Sequence, residues 1–259
     1  MSARPDGATT IAAGIAAVLS RTGRTLLIDL NLDRPELAAL LDIDDAPNLF
    51  HLAYRSKLGP ASTAELEDHL QWRDGIGVLP GIARPDDAVE VTDAFIDGLR
   101  ATAARSFEHI VIDAGRPRPA LPASIASGAL LWVIAPTPLG LAALDRTVQG
   151  LEETQCAWLT RARVVVNRES ANSLAGVERF VEREQRLGAA GRVPLAADYW
   201  GAVELRHSLR ALTVPMPAAE RYAKAYGDSA LAVRRAIEAL IDSLAGRQPV
   251  ESQSEAVGV

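Results

Sequence analysis

The chain has 259 residues, of which 48% are hydrophobic and 23% are charged, and its formal net charge is −6 at pH 7. This composition is that of a globular protein with one sizeable core, and the negative charge disfavours a protein whose whole surface attracts nucleic acid. The one cysteine, Cys156, excludes an internal disulfide and any zinc or iron–sulfur site held by several cysteines of one chain.

Segments that would direct the chain to a membrane are not evident in the sequence. No apolar run approaches the roughly 20 residues that a transmembrane helix needs. The first residues lack the charged and then apolar pattern of a signal peptide. We therefore expect a cytoplasmic protein with no transmembrane segment.

Short apolar, β-branched segments alternate with segments of helical periodicity along the chain. The predicted strands are residues 25–29, 76–79, 109–113, 130–135 and 163–167. The predicted helices are residues 10–21, 35–41, 86–105, 140–154, 173–187, 201–209 and 218–245. This alternation predicts an α/β fold with a mostly parallel, twisted sheet and helices on both faces.

The chain shows no internal repeat and no linker in its middle, so we expect one domain over residues 1–245. Residues 246–259 (GRQPVESQSEAVGV) are small and polar. Such a composition cannot bury enough apolar surface to order itself, and it predicts a disordered C-terminal tail.

Polar residues lie at or near the ends of three predicted strands. These residues are Asp29, Asp113 and Asn167. In open α/β sheets the ligand binds beyond the carboxyl ends of the strands. A single polar residue in such a place is usually structural, but three of them indicate a binding site at this edge.

The hexapeptide PDGATT, residues 5–10, runs directly into the first predicted helix. Glycine followed by two threonines at a helix N-terminus suits a phosphate, because free N–H groups and the helix dipole favour an anion there. An ordinary threonine N-cap has the same appearance. On the hexapeptide alone the ordinary cap is the favoured interpretation.

The wider pattern resembles the ParA/MinD family of P-loop ATPases. GATTIAAGIAAVLSRTGRTLLIDLNLDRPELAALLDI is similar to the family's phosphate loop, first helix and switch I strand. FEHIVIDAGRP resembles the Walker B strand and switch II, and LLWVIAPTPLGLAALDRTVQGLE the next strand–helix unit. VVVNR resembles the strand whose asparagine reads the adenine, and VPLAADYWGAVELRHSL the loop and helix that close the pocket. The resemblance covers residues 7–245 in consistent order.

The resemblance implies a site for ATP or ADP with Mg²⁺. Thr9 would coordinate Mg²⁺ through its hydroxyl, and Asp113, at the Walker B position, would be the catalytic and metal-binding acid. Asp29 closes the switch I strand, and Asn167 would bind the base. The remaining implied nucleotide-binding residues are Gly7, Ala8 and Thr10 in the phosphate loop and Pro194 at the start of the closing loop.

The sequence departs from the family pattern at its charged positions. Ala8 stands where the family has the phosphate-binding lysine, and Ala3 where it has a second, signature lysine. Arg4 and Pro5 replace two glycines of the loop. The second acid of switch I is Asn31, which can orient a water molecule but cannot act as a carboxylate.

The lost charges decide what chemistry remains. Removing one partner of a buried charge pair costs about 2–5 kcal/mol, which is roughly 30-fold to several thousand-fold in affinity. Phosphoryl transfer relies on positioning and charge stabilisation, so the rate suffers the same losses. The resemblance therefore implies weak ATP or ADP binding with Mg²⁺ and no useful hydrolysis.

The N-terminus is also unlike the family, in which a central strand precedes the phosphate loop. Only six residues precede Gly7 here, so the first strand is expected to be missing or truncated. Two explanations stay open. Residues 1–7 form the end of that strand and the natural start lies upstream, or the chain pairs its gap with another chain.

Within the family, the degenerate loop is closest to the CpaE/TadZ-like or septum-site-determining-like group. This implies a non-catalytic or weakly catalytic spatial organiser that acts as a homodimer. Its partner would be a protein of a pilus, secretion or division apparatus, and it would contact membranes only through partners.

Two other functions stay open. The first is an active ATPase, in which Arg4 or an upstream residue completes the loop. The second is a ParA-like protein that moves cargo on nonspecific DNA, which the net charge of −6 disfavours.

Overall fold

A computed structural model of the chain describes Met1 and residues 7–135, 137–169, 188–194, 212–220 and 229–246. The strands are β1 (Thr25–Asp29), β2 (Gln71–Arg73), β3 (Ile76–Leu79), β4 (His109–Asp113), β5 (Leu130–Ile134), β6 (Ala162–Glu169) and β7 (Gly188–Pro194). The helices are α1 (Ala8–Leu19), α2 (Leu37–Leu41), α3 (Leu49–Ser56), α4 (Thr63–Asp68), α5 (Asp93–Ala103), α6 (Ala123–Ala126), α7 (Pro138–Glu153) and α8 (Ser229–Leu244). Short 3₁₀ helices cover Pro85–Glu90 and Leu159–Arg161.

The strands form two groups, in the orders β2-β3-β1-β4 and β5-β6-β7. Among the strands that the structure describes, every pair is parallel except β2–β3, which is a hairpin at the edge. Within the described ranges, no helix is both long enough and apolar enough to span a bilayer. The predicted α/β fold with a mostly parallel sheet is confirmed.

Each face of the strands carries its own hydrophobic core. Side chains alternate along a strand, so Leu26 and Ile28 pack with α3, α5 and α7, whereas Leu27 packs with α1 and α8. Trp132 and Val133 of β5 divide between the same two cores. Because both cores contain residues of both strand groups, α1 and the other helices hold the two groups together as one layer.

The predicted helix over residues 86–105 is wrong as one continuous element. The structure has the 3₁₀ helix Pro85–Glu90 and then α5, separated by Val91 and Thr92. The Thr92 side chain accepts a hydrogen bond from the Phe95 N–H at 3.2 Å and so caps a new helix.

The elements after β6 agree with the sequence prediction only in part. The strand β7 was not predicted, because its sequence GAAGRVP contains small residues and one β-branched residue. Of the predicted helix over residues 218–245, the structure describes residues 218–220, which belong to a helical segment at 216–220, and α8. The predicted helices over 173–187 and 201–209, and residues 247–259 of the predicted tail, lie outside the described residues.

Candidate nucleotide site

The described start of α1 has two features that suit an anion. Gly7 precedes the helix with φ 88° and ψ 27°, the left-handed conformation that glycine adopts without strain. Ala8 is the first helical residue, and the first turn contains no acidic residue. The positive end of the helix dipole is therefore not neutralised by its own first turn. At Ala8 the side chain offers an anion only a methyl group.

Thr9 and Asp113 lie in direct contact. The Thr9 hydroxyl donates a hydrogen bond of 2.5 Å to Oδ2 of Asp113, and both residues are buried. The other carboxylate oxygen of Asp113 accepts a hydrogen bond from the Gly115 N–H at 3.2 Å. The packing of α1 on β4 thus brings together the two residues that the sequence implies as Mg²⁺ ligands.

Asp29 ends β1 directly beside Asp113, because the two residues are register partners in the β1–β4 pair. Its carboxylate accepts hydrogen bonds from the N–H groups of Asn31 at 3.1 Å, Glu36 at 3.1 Å and Leu37 at 3.0 Å. Burial raises the pKa of Asp29 to about 7, and the neighbouring Asp113 also raises it, whereas the three amides lower it. The contacts of Asp29 hold the loop between β1 and α2 in place.

Asn31 lies between the loops that follow β1 and β4. Its side-chain oxygen accepts a hydrogen bond from the Arg34 N–H at 3.3 Å. Gly115 has φ 63°, and a Cβ atom there would lie 2.6 Å from the same Asn31 oxygen. The two loops therefore approach each other closely only because residue 115 is glycine.

Asn167 is buried on β6 and faces the phosphate loop. A Cβ atom at Gly7 would lie 2.3 Å from Nδ2 of Asn167, so the two residues are in contact. Pro194 is the last residue of β7 and pairs in register with Glu169. The loop that Pro194 was predicted to begin lies outside the described residues.

No protein-family model and no curated protein matches this sequence. Solved structures do match. A ParA family ATPase from Chlorobium tepidum TLS is 20% identical, with a TM-score of 0.66 over 89% of this chain and 96% of that one. A chain of the MinC:MinD cell division protein complex of Aquifex aeolicus is 17% identical, with a TM-score of 0.65 over 96% and 95%. The septum site-determining protein MinD of Pyrococcus horikoshii OT3, complexed with Mg-ADP, is 19% identical, with a TM-score of 0.61 over 93% of each chain.

The chain has the fold of the ParA/MinD ATPases. Because these identities are all below 25%, the matches establish the fold alone, and any chemistry has to be argued from the residues of the site. In this ParA/MinD fold, Gly7, Thr9 and Asp113 meet at the carboxyl end of the sheet.

The donor atoms of Thr9 and Asp113 fit Mg²⁺. Magnesium prefers oxygen ligands and is usually held by one or two carboxylates together with phosphate oxygens and water. Within the described part of the chain, no group of three or more His, Cys, Asp or Glu side chains is placed to hold a metal ion. A magnesium ion here would therefore depend on a nucleotide for several of its ligands.

The described residues place no lysine at the phosphate loop. Lys57 follows α3. Its ammonium group forms an ion pair with Glu90 at 2.5 Å and lies 4.9 Å from the centre of the Tyr54 ring. Lys224 and the loop residues Ala3, Arg4 and Pro5 lie outside the described residues. Thr10, the last member of the predicted phosphate loop, is half-buried in the first turn of α1.

Sequence reasoning missed two residues that shape this edge of the sheet. A Cβ atom at Gly81 would lie 3.1 Å from Cγ of Asp29, so this glycine allows the chain after β3 to pack on the carboxylate. The signal was the turn dipeptide Pro80–Gly81 directly after a strand. The second residue is Arg116, whose guanidinium lies 3.9 Å from the Asp33 carboxylate and links the loops that follow β1 and β4. Both partners are exposed, so this ion pair contributes little stability.

Proposed function

We propose that the chain is a degenerate ParA/MinD-like protein that binds Mg-ATP or Mg-ADP weakly and hydrolyses it barely or not at all. One observation carries this proposal. The buried Thr9–Asp113 pair, which suits Mg²⁺, is present, while the adjacent helical residue is Ala8. In the described residues, a pair that suits Mg²⁺ therefore lies next to a methyl side chain at the position where the resemblance implies a lysine.

The energetic consequence follows from the charge that is lost. A lysine beside the β- and γ-phosphates would contribute about 2–5 kcal/mol in a buried site. Backbone N–H groups at the start of α1 and a Thr9–Asp113 magnesium site supply part of the usual stabilisation. The same lost charge lowers the rate of phosphoryl transfer, because that reaction depends on charge stabilisation. Binding without turnover is the expected result.

The cellular role that fits such a protein is positioning through contacts with other proteins. We propose a cytoplasmic homodimer, closest to the CpaE/TadZ-like or septum-site-determining-like group, that docks a partner of a pilus, secretion or division apparatus. A structural neighbour that is a MinC:MinD cell division protein complex supports docking on this fold. A second neighbour, complexed with Mg-ADP, supports the choice of ligand.

Calorimetric titration with Mg-ATP and Mg-ADP, together with a phosphate-release assay, tests the proposal. The matched variants are Thr9→Val, which removes the hydroxyl and keeps the side-chain shape, and Thr9→Ser, which keeps the hydroxyl. We expect weak binding that Thr9→Val reduces and Thr9→Ser retains, with no phosphate release above that of Asp113→Ala.

Two results would contradict the proposal. Phosphate release that Asp113→Ala abolishes would show an active ATPase. An absence of binding at millimolar nucleotide would leave the fold as a docking scaffold without a nucleotide.

A further inference from the structure

Arg116 carries an exposed guanidinium at the edge of the sheet where the proposed nucleotide site lies. It belongs to the loop after β4, three residues beyond Asp113, and its side chain is 73% exposed. Three residues span at most about 11 Å even when they are fully extended. This loop is folded back, because Gly115 has φ 63° and its N–H donates to the Asp113 carboxylate. Arg116 therefore begins close to the carboxylate that suits Mg²⁺.

The backbone that follows Arg116 is held in place. Pro117 comes directly after it, and a proline ring fixes φ. The buried indole of Trp158 then donates a shared hydrogen bond to the carbonyls of Arg118 and Pro119, at 3.2 Å to each. A guanidinium presented from a fixed backbone loses less entropy when it binds a ligand. The loop thus positions Arg116 in advance.

The side chain of Arg116, by contrast, is weakly held. Within the part of the chain that the structure describes, its partner is Asp33, whose carboxylate lies 3.9 Å from Nε and is 68% exposed. That distance is too long for a hydrogen bond, and an exposed ion pair contributes little stability. The planar guanidinium carries N–H donors that match the oxygens of a phosphate. Arg116 can therefore leave Asp33 for a phosphate at small energetic cost.

The charges around the site favour a further cation at this edge. Asp29 and Asp113 end neighbouring strands, and the first residue of α1 carries only a methyl group. The phosphates of ATP carry more negative charge than one Mg²⁺ neutralises. Arg34, in the loop after β1, is also exposed, but its Nε lies 2.8 Å from the Glu36 carboxylate. Of the two arginines, Arg116 is the more easily released from its acid.

The direction of a bound nucleotide determines which phosphate Arg116 meets. Asn167, which the resemblance assigns to the base, lies on β6 and contacts Gly7. Thr9 contacts Asp113 on β4, which belongs to the other strand group. A nucleotide that runs from Asn167 across the start of α1 therefore directs its terminal phosphate toward β4 and the loop that follows it.

We propose that Arg116 leaves Asp33 to bind the terminal phosphate of Mg-ATP, and that the site thereby prefers Mg-ATP to Mg-ADP. This inference rests on the proposed nucleotide binding and adds to it the residue that distinguishes the two nucleotides. ADP lacks the phosphate in question, so Arg116 stays beside Asp33 when Mg-ADP is bound. Because Arg116 acts from the loop after β4, it does not replace the charge that Ala8 lacks at the start of α1, and binding stays weak.

Calorimetric titration of the full chain with Mg-ATP and with Mg-ADP tests this role. We expect Arg116→Gln to lower the affinity for Mg-ATP about 10-fold or more and to leave that for Mg-ADP unchanged, because a charged hydrogen bond to phosphate is lost. Arg116→Lys should recover part of the loss, since it restores the charge without the planar fork. Arg34→Gln is the matched control. It removes the same charge from the loop after β1, and it should keep both affinities of the unaltered chain.

Asp33 provides a second test, because it competes with the phosphate for Arg116. Asp33→Asn should raise the affinity for Mg-ATP about 2–5-fold, which corresponds to the loss of an exposed ion pair. The same substitution in the Arg116→Gln chain should change nothing, because Asp33 acts through Arg116. An equal increase in both chains would show that Asp33 acts on the phosphate directly, and it would overturn the proposal.

The outcomes separate this inference from the proposed function. An unaltered chain that binds neither nucleotide at millimolar concentration overturns both. If the chain binds Mg-ATP and Arg116→Gln leaves that affinity unchanged, the role of Arg116 is wrong and the proposed function stands. A loss that is equal for Mg-ATP and Mg-ADP has the same meaning, because Arg116 then does not distinguish the terminal phosphate.

Discussion

Ala8 is the residue on which the proposed loss of catalysis depends. It is half-buried at the first position of α1, directly before the Thr9–Asp113 pair. A lysine introduced there adds a positive charge at the N-terminus of α1. A single substitution at this residue therefore tests how much the absent charge limits nucleotide binding.

We predict that Ala8→Lys strengthens Mg-ATP binding by about 30-fold or more, because a lysine–phosphate contact is worth about 2–5 kcal/mol. Calorimetric titration measures the change. Ser20→Lys is the matched control, since it adds the same charge at the opposite end of α1, and its affinity should equal that of the unaltered chain. Equal affinities for Ala8→Lys and Ser20→Lys would show that Ala8 does not lie beside the phosphates.

Asp29 makes the stability of the folded chain depend on pH. Its pKa is about 7 in the folded chain, against an ordinary value of 3.8. Between these two values the folded state binds more protons than the unfolded state, so the contribution of Asp29 to stability falls as pH rises. The stabilising contribution of Asp29 is fully present below pH 3.8 and is lost as pH rises through about 7.

We therefore predict that the free energy of unfolding of the unaltered chain, relative to Asp29→Asn, falls by about 2–3 kcal/mol between pH 5 and pH 8. Urea denaturation at the two pH values measures it. Asp97→Asn is the control, because hydrogen bonds from Ser124 lower the pKa of Asp97 and keep its titration below this window. A difference for Asp29→Asn that stays constant with pH would contradict the assigned burial of this carboxyl group.

At the scale of elements, the entry into α1 depends on the conformation of Gly7. Its φ of 88° disfavours any side chain, and a Cβ atom would lie 2.3 Å from Nδ2 of Asn167. We predict that Gly7→Ala lowers the free energy of unfolding by about 1–3 kcal/mol. Chemical denaturation measures the loss, and the variant should also weaken any nucleotide binding.

Gly98 provides the matched control for Gly7. It lies inside α5 with no atom within 4 Å of an added Cβ. Alanine favours a helix interior, so Gly98→Ala should raise stability by about 0.5–1 kcal/mol. If both variants change stability in the same direction, the prediction that the start of α1 requires glycine at position 7 is wrong.

The elements that the sequence predicted best are those with continuous β-branched or leucine-rich runs. The boundaries of β1, β3 and β4 agree with prediction because each run is short, apolar and ended by a polar or turn residue. The sequence predicted that Asp29 and Asp113 each end a strand, and the β1–β4 pairing in the structure makes them neighbours.

The elements that were missed depend on contacts distant in sequence. The helix α3 begins at Leu49, whose N–H donates a hydrogen bond to the distant Pro80 carbonyl. Asn48 caps this helix, because its side-chain oxygen accepts hydrogen bonds from the N–H groups of Phe50 and His51. β7 consists largely of small residues and is a strand because it pairs with β6. Tertiary pairing, rather than local preference, decides such segments.

At the scale of the whole molecule, the distribution of charge bears on the remaining alternative, movement on nonspecific DNA. The net charge is −6. Many basic side chains of the described residues lie beside carboxylates, as in the pairs Arg21–Glu238, Arg24–Glu67, Arg34–Glu36, Arg55–Glu65 and Lys57–Glu90. Interspersed charges of both signs do not form the basic face that DNA phosphates require.

We predict no measurable binding to a 30-base-pair duplex at protein concentrations up to about 10 µM, with or without Mg-ATP. Fluorescence anisotropy at 50 mM and 200 mM salt measures it, with a lysine-rich peptide as the positive control. A protein that neutralises several phosphates loses affinity steeply with salt, because it releases the counterions bound to DNA. Micromolar binding with such a slope would therefore require a basic face formed elsewhere in the chain or in its dimer, and it would favour the DNA-moving function over the docking function.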